Sequence, residues 1–236
     1  AINTPGHSPD SICIHVKTIG SDEEALFTGD TLFVGNVGRP DLREDVGKMT
    51  MSREDLAKAM FETMQTKFNH LNDGVLIYPA HGAGSLCGKG MSKASSSTLG
   101  NERVGNWAFK KQSEEDFVAE ILSDQPFVPS YFGFDVDTNK VGAENYKSST
   151  SKIPLQINVS EVEDGHLVID TRDQADYKKA HLANSINIMA RGEGDKFETW
   201  LGSIVKPNEP FFLVLDSIEN YDTLLERVSR IGYEKQ

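Results

Sequence analysis

The chain has 236 residues, 24 Lys and Arg against 36 Asp and Glu, a formal net charge of −12 and 38% hydrophobic residues, a globular composition long enough for one large or two ordinary domains. That acidic balance is a poor match for DNA, RNA or an anionic membrane surface, so neither nucleic acid nor membrane is expected as a partner. Only Cys13 and Cys87 are available for a disulfide framework, no apolar run reaches membrane-spanning length and no signal peptide opens the chain, so it reads as cytoplasmic.

Residues 11–18, SICIHVKT, alternate apolar and polar as a half-buried strand does, and 25–34, ALFTGDTLFV, follow an acidic turn as its hairpin partner. Leu56, Met60, Met64 and Phe68 recur every fourth residue behind Ser52, which predicts an amphipathic helix with a serine N-cap. GVLIYPAHGAGS, 74–85, reads as a short buried strand entering a Gly-rich loop, and a second helix is expected over 113–122 with Ser113 as its cap. Residues 126–151, with Pro126, Pro129 and the start of a KSSTSK tract, have linker character. Beyond them HLVIDTR, NSINI and FFLVLD are short apolar strands separated by helical stretches, the alternation of a small α/β domain with a parallel sheet. The expected division is therefore 1–125, a linker over 126–151, and 152–236.

Three residues of the first block could hold a metal: His7 in PGHS, Asp30 in TGDT and His81 in PAHG. Each stands where a strand meets a turn, so imidazole and carboxylate could converge on one ion, with glycines removing bulk around it. Taken singly, each is an ordinary polar or turn-forming residue. Order and spacing together change that balance.

TPGHSPDS, LFTGDTLFVGNVGRPDL and YPAHGAGSLCGKGMS resemble the last three elements of the metallo-β-lactamase superfamily pattern: an HxHxDH loop, a His, an Asp in a GD turn and a final His. The GRPDL and AHGAGS details are more similar to persulfide dioxygenases than to β-lactamases or glyoxalase II. The resemblance implies an α/β fold, the C-terminal half of an αββα sandwich, and one non-haem Fe(II) held by two His and one Asp. His7 would then be a His ligand and Asp30 the carboxylate, while the remaining His belongs to an HxHxDH loop that this sequence does not contain. His81 would lie near the iron, or bind a second metal in a dinuclear, zinc-using relative. His15 and His70 are expected to be solvated or structural.

Arg39 in GRPDL resembles an arginine at the substrate entrance that would pair with carboxylates of a thiol substrate, and could equally be a surface arginine. Cys87 could handle persulfide in its Gly-rich loop or simply fill space. Asn36 stands where the family often has Asp, which would at most weaken a hydrogen-bond network. The implied reaction converts a low-molecular-weight thiol persulfide and O₂ to thiol and sulfite. A glyoxalase II-like thioester hydrolase and a non-enzymatic interaction module are the alternatives.

Residues 166–188, HLVIDTRDQADYKKAHLANSINI, resemble a rhodanese domain through Asp170, Arg172, Asp176, Tyr177, His181, Leu182, Ser185, Asn187 and Ile188, with Ala180 and Asn184 in place of the usual glycines. Rhodaneses carry sulfur on a cysteine just after a buried strand, in a loop whose N–H groups cradle the anionic persulfide. Here PFFLVL is followed by Asp216 and Ser217, and a carboxylate or hydroxyl cannot form a persulfide. The expectation is a pseudo-rhodanese, truncated after RIGYEKQ.

Both domains read as incomplete, the first by about a hundred residues. A half-sandwich of this kind would expose an apolar sheet face, so a homo-oligomer or a complementing N-terminal fragment is expected to cover it, and the piece alone could bind no metal at all.

Overall fold

The computed structural model describes residues 1–42, 51–155, 162 and 165–236, which form two units, Ala1–Val128 and Pro129–Gln236. No helix among the described residues is long and apolar enough to cross a membrane.

In the first unit, β1 (Ile2–Asn3), β2 (Ile12–Lys17) and β3 (Glu24–Gly29) lead into a separate small hairpin of β4 (Leu32–Phe33) and β5 (Asn36–Val37). Then come α1 (Arg53–Glu62), β6 (Leu76–Pro79), β7 (Ser97–Thr98), α2 (Leu99–Gly105) and α3 (Glu114–Leu122). The main sheet has the order β1-β2-β3-β6-β7, with β3 and β6 parallel and the other neighbours antiparallel. The run 25–34, expected as one strand, is broken at Gly29, whose φ of +52° is left-handed and turns the chain out of the sheet.

Period-two alternation divides the sheet residues between two faces. Cys13, Leu26 and Ile77 are fully buried against a helical layer in which Leu56, Met60, Met64 and Phe68 form the expected stripe. Ser52 caps α1 through a capping box with Asp55, and a π-helical turn over Thr63–Lys67 extends the stripe to Phe68. On the opposite face Ile14, Phe27 and Tyr78 stand in one cross-strand row and Val16, Ala25 and Leu76 in the next. The large apolar members of these rows are 38% to 49% exposed, and the Phe27 and Tyr78 rings stack at 5.5 Å. Residues 74–79, expected as a buried strand, are thus half-buried, because Leu76 and Tyr78 point outward.

A buried polar network fixes the β4–β5 hairpin. The Glu102 carboxylate accepts from the Gly35 N–H at 2.8 Å and the Asn106 amide at 3.0 Å. Asn36 Oδ1 accepts from the Val37 N–H and from Trp107 Nε1 at 2.9 Å, while its Nδ2 donates to the Lys89 carbonyl. Lys89 Nζ in turn donates to the carbonyls of Glu120 and Ser123, both at 3.0 Å, where a cation suits the C-terminal end of α3. Far from weakening a network, Asn36 holds one together by accepting on one side and donating on the other.

The second unit contains α4 (Tyr131–Val141), α5 (Tyr146–Thr150), β8 (Leu167–Asp170), α6 (Gln174–Lys179), β9 (Ser185–Asn187), α7 (Phe197–Ile204), β10 (Phe211–Val214) and α8 (Tyr221–Ser229). The sheet order is β10-β8-β9, parallel throughout as expected. The stretch 126–151 is not a linker. It carries α4 and α5, and α4 places Tyr131 in the second core against Gly202, where a Cβ would collide with its ring. Pro129 just ahead of α4 and Gly142 at its end (φ +89°) are helix punctuation that composition alone reads as loop. Arg227, 2% exposed, pairs with both Glu198 oxygens at 2.7 and 2.8 Å and donates to the carbonyls of Gly192 and Asp195, lying over the Phe197 ring.

Three expected outcomes follow from these packings. Asn36→Asp leaves the Lys89 carbonyl without its donor and buries a charge, and should lower the unfolding free energy by about 2 kcal/mol or more in urea titration. Arg227→Ala strands Glu198 and two carbonyls, and should cost the second unit about 3–5 kcal/mol, read from hydrogen exchange of the α7 and α8 amides. Burial raises the Asp135 carboxyl in α4 from 3.8 to about 6. The folded state therefore holds this proton more tightly than the unfolded chain, and stability from this group is lost as pH rises from ~4 through ~6. Asp135→Asn should accordingly be more stable than the parent above pH ~6, with the gap closing toward pH ~4.

Candidate metal centre

Parallel pairing of β3 and β6 brings the turns after both strands to one edge of the sheet, where the Ala80 N–H donates to the Gly29 carbonyl at 3.1 Å. Asp30 follows β3 and His81 follows β6. Because β2 runs antiparallel to β3, its start lies at the same edge, and the β1–β2 connection delivers His7 there. The Thr4 and Thr31 hydroxyls, 3.0 Å apart, tie that connection to the turn. Gly38 crosses so close that a Cβ would strike the Asp30 carbonyl and lie 3.1 Å from His7 Cβ.

His7 Nδ1 lies 2.8 Å from the Arg39 carbonyl, which can only accept, so Nδ1 carries the proton and the lone pair is on Nε2. Nε2 is 3.5 Å from Asp30 Oδ2, while His81 Nε2 is 3.3 Å from Asp30 Oδ1. The carboxylate thus turns one oxygen to each histidine. Oδ1 is buried and, although His81 is near, has no aligned hydrogen-bond partner. The ligand atoms of Asp30, His81 and Cys87 all lie within 4.8 Å of one another. Contact with the Cys87 thiol, helped by the Asp30 charge and opposed by burial, raises the His81 imidazole above its ordinary value. An orphaned carboxylate oxygen among imidazole and thiol donors makes Asp30, His81 and Cys87 a candidate site for a divalent transition metal, with His7 beside it.

The structure therefore gathers His7, Asp30, His81 and Cys87. Arg39 is close only through its backbone. Its guanidinium is 2% exposed, paired with both Asp41 oxygens at 2.6 Å and donating to the carbonyls of Leu86 and Pro126. It is neither a surface arginine nor placed to receive a substrate carboxylate: the fold consumes its donors. His15 pairs with Glu24 at 2.8 Å on the sheet, and His70 is exposed at the turn before β6. Sequence reasoning missed Lys89 and the backbone of Arg39 as supports. Only the density of glycines around them hinted that chains approach closely here.

In the second unit, Asp170 is fully buried and paired with Arg172 at 2.7 Å. The turn between β10 and α8 carries Asp216, which accepts from Asn220 Nδ2 at 2.6 Å, and Ser217, which accepts from the Glu219 N–H.

Comparison with known proteins agrees with both units. The rhodanese-like domain family matches residues 157–235. A metallo-β-lactamase from Staphylococcus aureus superposes with a TM-score of 0.81 at 32% identity, over 99% of this chain and 64% of its own. The mitochondrial hydroxyacylglutathione hydrolase of Saccharomyces cerevisiae is 37% identical over 81 residues, 34% of this chain and 26% of that one. The yeast cytoplasmic isozyme is 55% identical over 38 residues, 16% of this chain and 14% of its own. The chain thus spans only a part of each of these relatives. It is a metallo-β-lactamase-fold unit followed by a rhodanese-like domain.

Proposed function

We propose that this chain is the metal-binding C-terminal half of a non-haem Fe(II) persulfide dioxygenase, working on a small thiol persulfide in the cytoplasm. The reading is supported by the joining, in one chain, of a His7–Asp30 pair, suited to holding a metal, to a rhodanese-like domain. Fe(II) with coordination positions left open supplies the capacity to combine O₂ with a sulfur substrate. His7, its tautomer fixed by the Arg39 carbonyl, and Asp30 would hold the ion. His81, 44% exposed, would line the open side. The pattern's other histidine is absent from this sequence, so the reaction belongs to a protein in which this region meets the segment that supplies it. The Asp216–Ser217 turn gives the second unit a scaffolding part rather than sulfur transfer. The exposed rows through Ile14 and Val16 would be covered by that complementing segment or by a second copy.

A second reading, a thioester hydrolase, is favoured by the yeast relatives and by Asp30, which turns one oxygen toward each histidine, so that His7, Asp30 and His81 would together hold the zinc that such hydrolysis uses.

Metal analysis and oxygen uptake of the protein carrying this region separate the two. One iron per chain and O₂ consumption with glutathione persulfide are expected, while two metals with hydrolysis of a glutathione thioester would establish the second reading. Asp30→Ala should reduce metal affinity by more than the roughly 10–100-fold that loss of a supporting residue costs. A well-behaved 26.1 kDa monomer in light scattering would count against any cover for the sheet face.

A further inference from the structure

His81 and Cys87 stand on one loop after β6, and residues 82–84 between them are exposed. The place of this loop at the site is therefore set from its far half. We propose that Lys89 is the positioning residue that sets it, by supplying the cation that the end of α3 lacks. The clamp is independent of what the site binds, and its effect on turnover rests on the dioxygenase reading.

Three observations carry it. The first is the charge pattern of α3, which opens on Glu114, Glu115 and Asp116 and has no basic residue in its last turn. The negative end of the helix is thus left uncompensated by its own sequence. Lys89 comes from an earlier loop to fill that role. Its Nζ donates to the Glu120 and Ser123 carbonyls and to Ser123 Oγ, all at 3.0 Å, and lies 3.1 Å from Glu120 Oε1. All three donors of the ammonium are engaged at one helix end.

The second observation is that Lys89 is gripped at its main chain as well. Its carbonyl accepts from Asn36 Nδ2, so the β4–β5 hairpin holds the backbone while α3 holds the side chain.

The third is the path from Lys89 back to the site. Gly88 lets the loop lie against the hairpin, since a Cβ there would come 3.2 Å from the Val37 carbonyl and 3.4 Å from the Phe33 ring. That buried ring stands 6.3 Å from the His81 ring, centroid to centroid. The Cys87 carbonyl accepts from the Arg39 N–H at 3.0 Å, and the Arg39 carbonyl orients His7. Release of Lys89 therefore loosens the segment that carries Cys87 and leads back to His81. A side chain that fixes a site from outside it in this way costs function when removed, even where the fold survives.

Lys89→Met provides the test, because it keeps the apolar stem and removes the cation. In the protein as it stands, iodoacetamide should alkylate Cys87 about fivefold faster in this variant, with buried Cys13 as the internal control. Lys89→Arg, which still donates to helix-end carbonyls, should bring the rate back to within about twofold of the parent's. Lys93→Met, at an exposed lysine of the same loop, should leave it unchanged. Hydrogen exchange separates positioning from stability: the Arg39 amide should lose protection while the α1 amides keep theirs. In the protein that also carries the segment completing the site, turnover of glutathione persulfide should fall roughly tenfold in Lys89→Met and recover in Lys89→Arg. The alkylation measurement uses neither metal nor persulfide, so it stands whether or not the parent consumes O₂. An unchanged Cys87 rate, a Lys89→Arg variant no better than Lys89→Met, loss of protection in α1 as well, or parental turnover that ignores Lys89→Met would each overturn the proposal.

Discussion

The Asp30 carboxylate is where the constraints of the first unit meet. It can face two histidines only because β3 and β6 are parallel neighbours, so that the turns after both open on the same edge. The left-handed Gly29 then lifts Asp30 out of the strand, and Gly38 lets a second chain segment pass against its backbone. That passage delivers Arg39, whose carbonyl orients His7 and whose N–H holds the Cys87 loop. Ligand direction is thus set by main chain, which costs little side-chain entropy at a site that must stay ordered.

The same sheet has two unlike faces. Its inner face is sealed by α1 and α3 around Met60, Phe68 and Phe117, while its outer face presents aligned apolar rows to solvent. Rows of Ile, Val, Phe and Tyr in cross-strand register are what a sheet presents to another sheet, and isolated surface hydrophobes do not line up so. The edge that carries Asp30 and His81 and the apolar face belong to one sheet, so a segment laid on that face would approach the site.

Much of this was legible in the residues because the informative signals were periodic or local. The four-residue stripe from Leu56 to Phe68 and the caps at Ser52 and Ser113 need only nearby chain to be meaningful, and they gave the start of α1 and both ends of α3 within a residue. His7, Asp30 and His81 were readable as a set because each sits in a turn with glycine. Contacts of long sequence separation were not readable. Arg39 could pass for a substrate ligand because nothing local shows that Asp41, Leu86 and Pro126 would take up its donors. Asn36 carries no local sign that Trp107 and Lys89 close on it, 71 and 53 residues away. Residues 126–151 misled for the opposite reason: proline, glycine and serine were there as helix boundaries, and the apolar Tyr131 that docks α4 was outvoted by composition.

In the second unit the residues of the family signature serve the fold. Asp170, Arg172, Tyr177, Ser185 and Asn187 all make internal bonds: Asp170 with Arg172, Tyr177 with the Ser185 carbonyl at 2.6 Å, Asn187 with the carbonyls of Asp170 and Arg172. They join β8, α6 and β9, and the fold needs them whatever the β10–α8 turn carries. That turn bears no comparable structural demand. Its Asp216 and Ser217 side chains hydrogen-bond to their own neighbours, Asn220 and Glu219. With Glu219 and Asp222 adding carboxylates at the start of α8, the turn would repel the anionic sulfur that a helix N-terminus otherwise attracts. The acidic, cysteine-free turn fits the proposed scaffolding part of this unit.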